Sequence, residues 1–425
     1  MRVLIIGAGI GGLTTALSLH AVGIEALVVD SVSELRPLGV GINLLPHATG
    51  ELSALGLADG LAELAVATAE VVHLDRFGNE IWREPRGIAA GHDWPQYSVH
   101  RGKLQAMLLT AVRDRLGPDA VRTGLRFVSA ADTADTTDAA DDTGGVRARL
   151  HDRRRDTYVE FDADLLVGAD GLHSAVRAQL YPDEGPPRGD GIRMWRGVTP
   201  APPFLSGATM MFAGSNHAAK FVAYPISRAL PSDRCLTNWV AEVRMPAAEE
   251  DPADWNRVGR VGDVLPFYRG WHCAGLDIDA LITATETILE YPMVDRDPLP
   301  RWTFGRITLL GDAAHPMYPI GSNGGSQSII DARVLAAELA RTGGAREGAI
   351  GYETVRREPV NDIVLANRDM PMDRILRTVA ERAPDGFGRI EDVLGPDELA
   401  AITASYGRTS AGRGRSPHAG GAAAR

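Results

Sequence analysis

The sequence predicts an α/β fold in which a Rossmann-like parallel sheet is joined by an antiparallel sheet and C-terminal helices. Near-continuous apolar runs at 3–6, 165–167 and 307–310 each lead into a glycine motif, which is typical of parallel strands covered on both faces. Alternating patterns at 220–224 and 237–243 instead favour antiparallel strands. The chain is therefore expected to combine two kinds of sheet.

The helical elements follow from periodicity. A 3.6-residue apolar period over 13–22 follows the first strand, and a further apolar run at 26–29 ends at Asp30, so the first 30 residues predict a β-α-β unit. Apolar residues recur at helical spacing over 325–341, which predicts a long helix. Less regular helical patterns continue to about residue 406.

Length and composition favour a globular protein of two structural units, because 425 residues exceed the ~150 expected per domain. With 44 basic and 55 acidic residues, the formal charge of −11 opposes nucleic-acid binding. No apolar run reaches 18 residues and no cleavable signal pattern opens the chain, so a cytoplasmic protein without membrane contact is expected. Cys235 and Cys273 lack metal-ligand spacing, which predicts two buried thiols and no metal site.

A glycine-rich turn opens the first helix. Gly7, Gly9 and Gly12 fit G-x-G-x-x-G, in which the glycines permit a tight turn, close approach to a pyrophosphate and close helix packing. The phosphates would lie against the helix N-terminus, where free N–H groups favour negative charge. Asp30, 18 residues after Gly12, is placed to accept hydrogen bonds from ribose hydroxyls. This pattern predicts a dinucleotide with a free 2′-hydroxyl, either FAD or NAD.

Motifs further along the chain distinguish these cofactors. LLVGADGLHSAVR (165–177) and RITLLGDAAHPMYPIGSNGG (306–325) resemble the class A flavoprotein aromatic hydroxylases, which have the p-hydroxybenzoate hydroxylase fold. Within that family the chain is most similar to the phenazine-carboxylate hydroxylases. This likeness spans roughly residues 1–370 and rests on RPLGVGIN (36–43), PQYSVHRGKLQ (95–105), MWRGVT (194–199), ADWNR (253–257) and YPMVDRDPLPRW (291–302).

The resemblance implies that FAD is the cofactor and indicates which residues contact each part of it. It places Asp170 and Gly171 near the pyrophosphate, Asp312 at the ribityl chain and Val128 by the adenine. The helix expected after residue 323 would stabilise negative charge on the reduced flavin by ~0.3–2 kcal/mol. The full expected set is Gly7, Gly9, Gly11, Gly12, Asp30, Gly41, Ile42, Arg101, Gln105, Val128, Asp170, Gly171, Gly311, Asp312, Pro319, Gly321, Asn323, Gly324 and Gly325.

The resemblance also implies a reaction. It predicts an NAD(P)H-dependent FAD monooxygenase that uses dioxygen, through a flavin hydroperoxide, to hydroxylate a polycyclic aromatic natural-product intermediate, with loss of a ring carboxylate as one option. A single G-x-G-x-x-G leaves NADH and NADPH as alternative donors. Epoxidation, Baeyer–Villiger insertion, N-oxidation and a non-redox flavin-binding protein remain alternatives. The GADG and GDAAH motifs argue against an NAD-dependent dehydrogenase, and the missing WxWxIP motif argues against halogenation.

Candidate substrate-binding residues come from the antiparallel region and the loops expected beside the flavin. They are His47, Tyr97, Trp195, Met210, Phe221, Tyr224 and Pro319. Trp195 and Phe221 are more typical of an ordinary core. For Arg193 and Arg196, surface ion pairs are favoured over contact with a substrate carboxylate. For His315, a structural role is favoured over a catalytic one. No catalytic acid or base is assigned.

The expected domain organisation is discontinuous. Residues 1–72, 98–182 and 295–370 form the FAD-binding domain, and residues 73–97 and 183–294 form the substrate domain. A C-terminal helical segment covers 371–407, and the Gly/Ala/Arg-rich tail at 408–425 is expected to be disordered. The Asp-rich stretch 132–142 is expected to form a loose hairpin loop.

Overall fold

The structure is a computed structural model that describes residues 1–37, 39–133, 144–215, 217–228, 230, 233–245, 257–369 and 371–401. The strands are β1 Arg2–Ile6, β2 Glu25–Asp30, β3 Gly41–Leu44, β4 Val66–Thr68, β5 Glu70–Leu74, β6 Glu80–Pro85, β7 Gln96–His100, β8 Val121–Thr123, β9 Leu125–Asp132, β10 Val146–Asp152, β11 Thr157–Ala163, β12 Leu165–Gly168, β13 Arg188–Ala201, β14 Thr209–Ser215, β15 Ala219–Pro225, β16 Cys235–Arg244, β17 Arg257–Gly259, β18 His272–Cys273, β19 Leu276–Asp277, β20 Ile288–Asp295, β21 Thr303–Phe304 and β22 Ile307–Leu309.

The α-helices are α1 Ile10–Ala21, α2 Pro46–Ala54, α3 Ala58–Leu64, α4 Arg101–Leu116, α5 Ala175–Leu180, α6 Val261–Val264, α7 Ile278–Thr283, α8 Asn323–Thr342, α9 Ala345–Arg368 and α10 Pro371–Arg382. Three sequence predictions fall wholly or mainly outside the described residues: the hairpin loop from residue 134 onward, residues 253–256 of the ADWNR motif, and the tail at 408–425.

A mainly parallel sheet forms the frame of the molecule, with the strand order β21-β22-β12-β1-β2-β8. At its carboxyl edge Ile6 pairs with Gly168, and Gly168 pairs with Leu309. The three apolar strands predicted from the sequence are therefore neighbours, and their glycine motifs meet at one edge. Ligands bind at this edge in open α/β sheets.

A second large sheet, ordered β17-β20-β13-β16-β15-β14-β5-β6, stands beside the first. All its pairings are antiparallel except that of β5 with β14. One face packs a core around Phe221, Trp239 and Tyr268, and the opposite face carries Met210, Val222 and Tyr224. The predicted α/β fold with an added antiparallel sheet and C-terminal helices is confirmed.

The domain division itself remains a proposal. Strand β5 crosses the boundary predicted between 72 and 73 and lies wholly in the antiparallel sheet. Strand β7 crosses the boundary predicted between 97 and 98 but pairs with β3 and β4 in a separate small sheet. We propose that the substrate domain's first segment begins after β4 and ends before β7.

The C-terminal helices pack on both sheets. Helix α8 packs between α1 and α9, and α10 lies against β14. Ile375, Leu376 and Val379 of α10 are buried together with Ile81 and Leu394, so the amphipathic helix covers one end of the antiparallel sheet. Within the described residues, no helix combines the length and apolar character needed to cross a membrane.

A buried charge network holds α8 and α9 to the strand ends. The fully buried Asp331 of α8 lies 2.5 Å from His315 Nε2 and accepts a 2.8 Å hydrogen bond from Arg356 Nε of α9. It also accepts the backbone N–H of Gly311. Burial alone would raise the pKa of Asp331, but His315 and Arg356 hold this pKa below its usual value. His315 thus has the structural role expected from the sequence.

Asp331→Ala should strongly destabilise the protein, because it leaves Arg356 buried without its carboxylate. We expect the free energy of unfolding to fall by about 3–5 kcal/mol, measured by urea denaturation. Glu338→Ala, which breaks an ion pair with the exposed Arg341 of the same helix, is the control and should cost about 1 kcal/mol or less. Equal losses in the two variants would contradict the assigned role of the network.

Candidate functional site

A groove of about 400 Å³ runs along the carboxyl edge of the parallel sheet. It passes between the β1–α1 turn, the turn after β12 and the loop after β22. Of the residues expected to bind the cofactor, those that line it are Gly9, Gly11, Ile42, Arg101, Gly171, Gly311, Asp312, Pro319 and Gly325. Residues more than 300 positions apart in the sequence are thus brought together on one surface.

The β1–α1 turn admits a phosphate only because of its glycines. Gly7 has φ +107°, and a Cβ there would lie 2.4 Å from the Ala169 oxygen; a Cβ at Gly12 would lie 2.0 Å from the Gly7 oxygen. By contrast, the space around a Cβ at Gly9 is open to 4 Å. Gly9 is also the N-cap of α1 and provides no side-chain cap, so free N–H groups face this space. The turn therefore fits a pyrophosphate.

Asp30 and Gln105 support this turn. Asp30 accepts hydrogen bonds from the backbone N–H groups of Ala8 and Val32, and Gln105 donates to the Ala8 oxygen at 2.7 Å. Asp30 stands at the end of β2 and keeps lone pairs for a ribose hydroxyl. Val128 lies on β9, is 40% exposed and does not line the groove, so its expected place beside the adenine remains a prediction.

In the motif after β12, Asp170 and Gly171 have different surroundings. Gly171, with φ +81°, lines the groove. The Asp170 carboxylate accepts hydrogen bonds from Ser174 Oγ at 2.5 Å and from the backbone N–H groups of Ala175 and Val176. Burial raises the pKa of Asp170. Its side chain thus holds the start of α5, between two neighbours in sequence that line the groove, and its expected place near the pyrophosphate remains a prediction.

The loop after β22 and the start of α8 close the other end of the groove. Asp312 is exposed and has no hydrogen-bond partner among the described residues, so its carboxylate is available to a polyhydroxylated chain. Ser322, the α8 N-cap, adopts the left-handed conformation (φ +60°) and makes no side-chain cap hydrogen bond. The uncapped end of this 20-residue helix favours negative charge on whatever lies beside it. Together these features fit FAD.

A second cavity, of about 230 Å³, opens from the groove and is walled by the antiparallel sheet. The two spaces share Ile42, Met194, Arg196, Asp312 and Pro319, so they meet where the flavin ring is expected. Met210, Tyr224 and Pro319 line this cavity. Gly321, Asn323 and Gly324 also line it, at the start of α8.

Two predicted substrate residues face the opposite side of the sheet. Side chains alternate along a strand, so Lys220, Val222 and Tyr224 point into the cavity while Phe221 points into the core against Trp239. In the same way, Met194 lines the cavity and Trp195 is buried beyond it, with Nε1 donating to Glu290. Trp195 and Phe221 therefore do not line this cavity, and they pack in the core as is more typical of such aromatic residues.

The other sequence candidates have different surroundings. His47 on α2 and Tyr97 on β7 do not line the cavity; burial lowers the pKa of His47 to about 4, with smaller contributions from Arg356 and His92. Arg193 forms the expected ion pair, 3.4 Å from Glu290. The preference for a surface ion pair at Arg196 was wrong, because its side chain lines both groove and cavity.

Three side chains of the antiparallel sheet hold the backbone of Gly41. Asn238 Oδ1 accepts the Gly41 N–H at 2.6 Å, while Arg196 Nη2 and the Tyr224 hydroxyl donate to the Gly41 oxygen at 2.7 and 2.9 Å. A Cβ at Gly41 would lie 2.7 Å from that of Asn238, so only glycine allows this approach. The loop expected beside the flavin ring is thus fixed by the wall of the cavity.

The sequence analysis missed Asn238 and a buried charged cluster at the far end of the cavity. In this cluster the Lys220 Nζ lies 2.7 Å from Glu242 Oε2 and 2.7 Å from Asp373 Oδ1. Two signals pointed to it: Lys220 is one of only two lysines, and it lies in an alternating apolar strand. Its acidic partners come from another strand and from α10, and no local pattern links them. Both cysteines are buried and unpaired.

Comparison with known proteins agrees with this geometry. The family model described as FAD binding domain matches residues 1–259 and 277–366. The phenazine 1,6-dicarboxylic acid hydroxylase of Lysobacter antibioticus is 48% identical over 95% of this chain and 96% of that protein. The 3-hydroxybenzoate 6-hydroxylase of Klebsiella oxytoca is 30% identical over 87% of this chain and 88% of its own length.

Solved structures share the fold. HpxO of Klebsiella pneumoniae, solved with FAD and uric acid, is 24% identical and superposes with a TM-score of 0.72, covering 96% of this chain and 91% of its own. The chain belongs to the FAD-binding domain family. It is an FAD-dependent monooxygenase of the aromatic hydroxylase type, and its co-substrates are dioxygen and a nicotinamide donor, as predicted.

Gly7→Ala should abolish FAD retention, because its Cβ would strike the Ala169 backbone at the pyrophosphate turn. Gly23→Ala is the matched control: it also has positive φ (+76°), but no atom lies within 4 Å of its Cβ. The control should keep FAD and lose only about 1–2 kcal/mol of stability. FAD per chain, measured by visible absorbance after purification, checks both. Full cofactor in Gly7→Ala would show that the turn does not hold it.

Proposed function

We propose that this enzyme hydroxylates a polycyclic aromatic carboxylate of the phenazine class. The observation that carries the proposal is the cavity itself, which opens onto the cofactor groove at Ile42 and Pro319. The Lysobacter relative, named for a phenazine dicarboxylic acid, supports the choice of substrate class. A cytoplasmic location, predicted from the sequence, is part of the same proposal.

The cavity walls suit a flat apolar guest. Met194, Met210, Val222 and Val240 supply apolar surface on one face of the antiparallel sheet, and Ile320 of the loop before α8 packs with them. Methionine side chains adapt to aromatic faces and contact them favourably through sulfur. These side chains would hold the ring system through a large contact area. They would also exclude water, which would limit side reactions of reactive intermediates.

Orientation would come from the junction between cavity and groove. Arg196 is the cation at this point, and its hydrogen bond to Gly41 fixes its position. A carboxylate on the ring that enters the junction would be attracted to this guanidinium, which brings the carboxylated carbon toward the flavin. This arrangement is compatible with hydroxylation at that carbon, in which the bond to the carboxylate breaks and the carboxylate leaves as carbon dioxide.

The residues expected to hold FAD are those of the groove, with Asp312 at the ribityl chain and the α8 N-terminus at the pyrimidine end of the ring. When bound, FAD supplies the redox chemistry: it takes electrons from NAD(P)H and activates dioxygen for transfer to an aromatic carbon. Tyr224 would remain a neutral hydrogen-bond donor throughout, because burial raises its pKa. It would therefore keep Gly41 in place and would not act as a base.

The test is substrate-stimulated oxidation of NADH and NADPH by the FAD-loaded enzyme. Phenazine-1-carboxylate should accelerate oxidation at least about tenfold, and mass spectrometry should show a hydroxylated product. Benzoates, with one ring, serve as the comparison. If no phenazine carboxylate stimulates oxidation, the proposed substrate class is wrong. An N-oxide as the product would show N-oxidation, and a ring-expanded product would show Baeyer–Villiger insertion, in place of hydroxylation.

Met210→Ala should lower the yield of hydroxylated product per NAD(P)H consumed, because it opens the cavity wall to water. The adjacent Met211 is fully buried on the other face of β14 and gives the matched control. Met211→Ala should cost about 2–5 kcal/mol of stability and leave the product yield unchanged. The two yields are measured by chromatography against NAD(P)H consumption. A lower yield in Met211→Ala alone would contradict the assigned cavity wall.

A further inference from the structure

The charged cluster of Lys220, Glu242 and Asp373 lies at the end of the cavity remote from the cofactor groove. All three residues line the cavity, and none lines the groove. Lys220 precedes Tyr224, which contacts Gly41, by four residues on β15, and a strand rises ~3.3 Å per residue, so the cluster lies ~13 Å from the Gly41 end. An aromatic guest that reaches the flavin with one ring would direct its opposite ring toward this cluster.

The cluster is rigidly built. Lys220 and Glu242 are directly opposite each other on β15 and β16, and the Tyr268 hydroxyl donates to the backbone oxygens of both from the other face of the sheet. Asp373 is brought in by α10, whose apolar residues are buried beside it. The side chains of Lys220, Glu242 and Asp373 are between 3% and 7% exposed.

The hydrogen bonds of the cluster are unequally satisfied. The Lys220 ammonium has carboxylate oxygens of both Glu242 and Asp373 at 2.7 Å, so its charge is already neutralised. Burial alone would lower the pKa of Lys220, but these carboxylates raise it above its ordinary value, which keeps the ammonium charged. Glu242 Oε2 and Asp373 Oδ2 are both buried without a hydrogen-bond partner among the described residues, but Oε2 lies in the ion pair with Lys220, whereas the ion pair of Asp373 is made by its other oxygen, Oδ1. Such an acceptor is costly to leave unmatched.

We propose that Asp373, held by Lys220, is the specificity-determining acceptor for a hydrogen-bond donor, a hydroxyl or amino group, on the substrate ring farthest from the flavin. This inference rests on the proposed function, since it assumes a polycyclic guest in the cavity. A donor there would satisfy Asp373 Oδ2. A second ionised carboxylate beside the cluster would be disfavoured, because the Lys220 ammonium there is already occupied by two acidic side chains.

The test measures dissociation constants of the FAD-loaded enzyme, without NAD(P)H, from changes in flavin absorbance. The ligands are phenazine-1-carboxylates with a hydroxyl, a methoxy group or a carboxylate at position 6. The hydroxyl ligand should bind the wild-type enzyme at least about tenfold more tightly than the methoxy ligand, as expected for a hydrogen bond to a charged group.

Asp373→Asn should reverse this preference. Its amide oxygen can still accept from Lys220, while its N–H₂ group replaces the free acceptor by a donor. Asp385→Asn, an exposed position in the turn after α10, makes the same change in charge and should behave as wild type. Glu242→Gln should leave the hydroxyl-to-methoxy ratio intact and improve binding of the 6-carboxylate at least about tenfold, since it frees part of the Lys220 charge.

An unchanged hydroxyl-to-methoxy ratio in Asp373→Asn, or a wild-type ratio near one, would overturn the proposal. Thermal unfolding shows whether Asp373→Asn is folded; if it is not, the Glu242→Gln arm decides, and no gain for the 6-carboxylate would overturn the proposal. Failure of every phenazine ligand to bind the wild-type enzyme would instead refute the proposed function, and this inference with it.

Discussion

The backbone of Gly41 is the point on which the site depends. It is held at once by Arg196, Tyr224 and Asn238, which come from three adjacent strands of the antiparallel sheet. Because these hydrogen bonds are buried or partly buried and the approach of Asn238 leaves no room for a Cβ, the loop beside the expected flavin ring cannot move independently of the substrate wall. Cofactor loop and substrate cavity therefore form one rigid unit, as positioning of reacting groups within a fraction of an ångström requires.

The frame of the cofactor groove was largely predictable from sequence. Each of its motifs is local, because a glycine that follows an apolar strand indicates a sterically tight turn wherever the strand lies in the sheet. Gly7, Gly12 and Gly311 are required because a Cβ would meet backbone or α8, and this requirement is visible in a few consecutive letters. The roles of individual side chains were less predictable, as Asp170 shows, because a carboxylate can serve a helix N-terminus and a ligand equally well.

The lining of the cavity beside the groove was predictable only in part, for a physical reason. Phe221 and Tyr224 are three positions apart on one strand, so at most one of them can face the cavity, but the alternation alone does not say which face is the wall. The register relative to the cofactor decides this, and it is set by contacts such as that of Tyr224 with Gly41. The places of Asn238, Glu242 and Asp373 depend on strand pairing and on contacts between distant segments, with separations of 197 residues for Gly41–Asn238 and 153 for Lys220–Asp373.

Helix α10 is separate in sequence from the residues expected to bind FAD. The segment that contributes Asp373 lies after residue 366, where the match to the FAD-binding domain family ends, and its apolar residues pack beside the cavity. Changes in this helix can therefore alter which guest is accepted while the redox apparatus stays intact. Exchange of the terminal helix between related enzymes would be a direct way to re-target the oxidation to other ring systems.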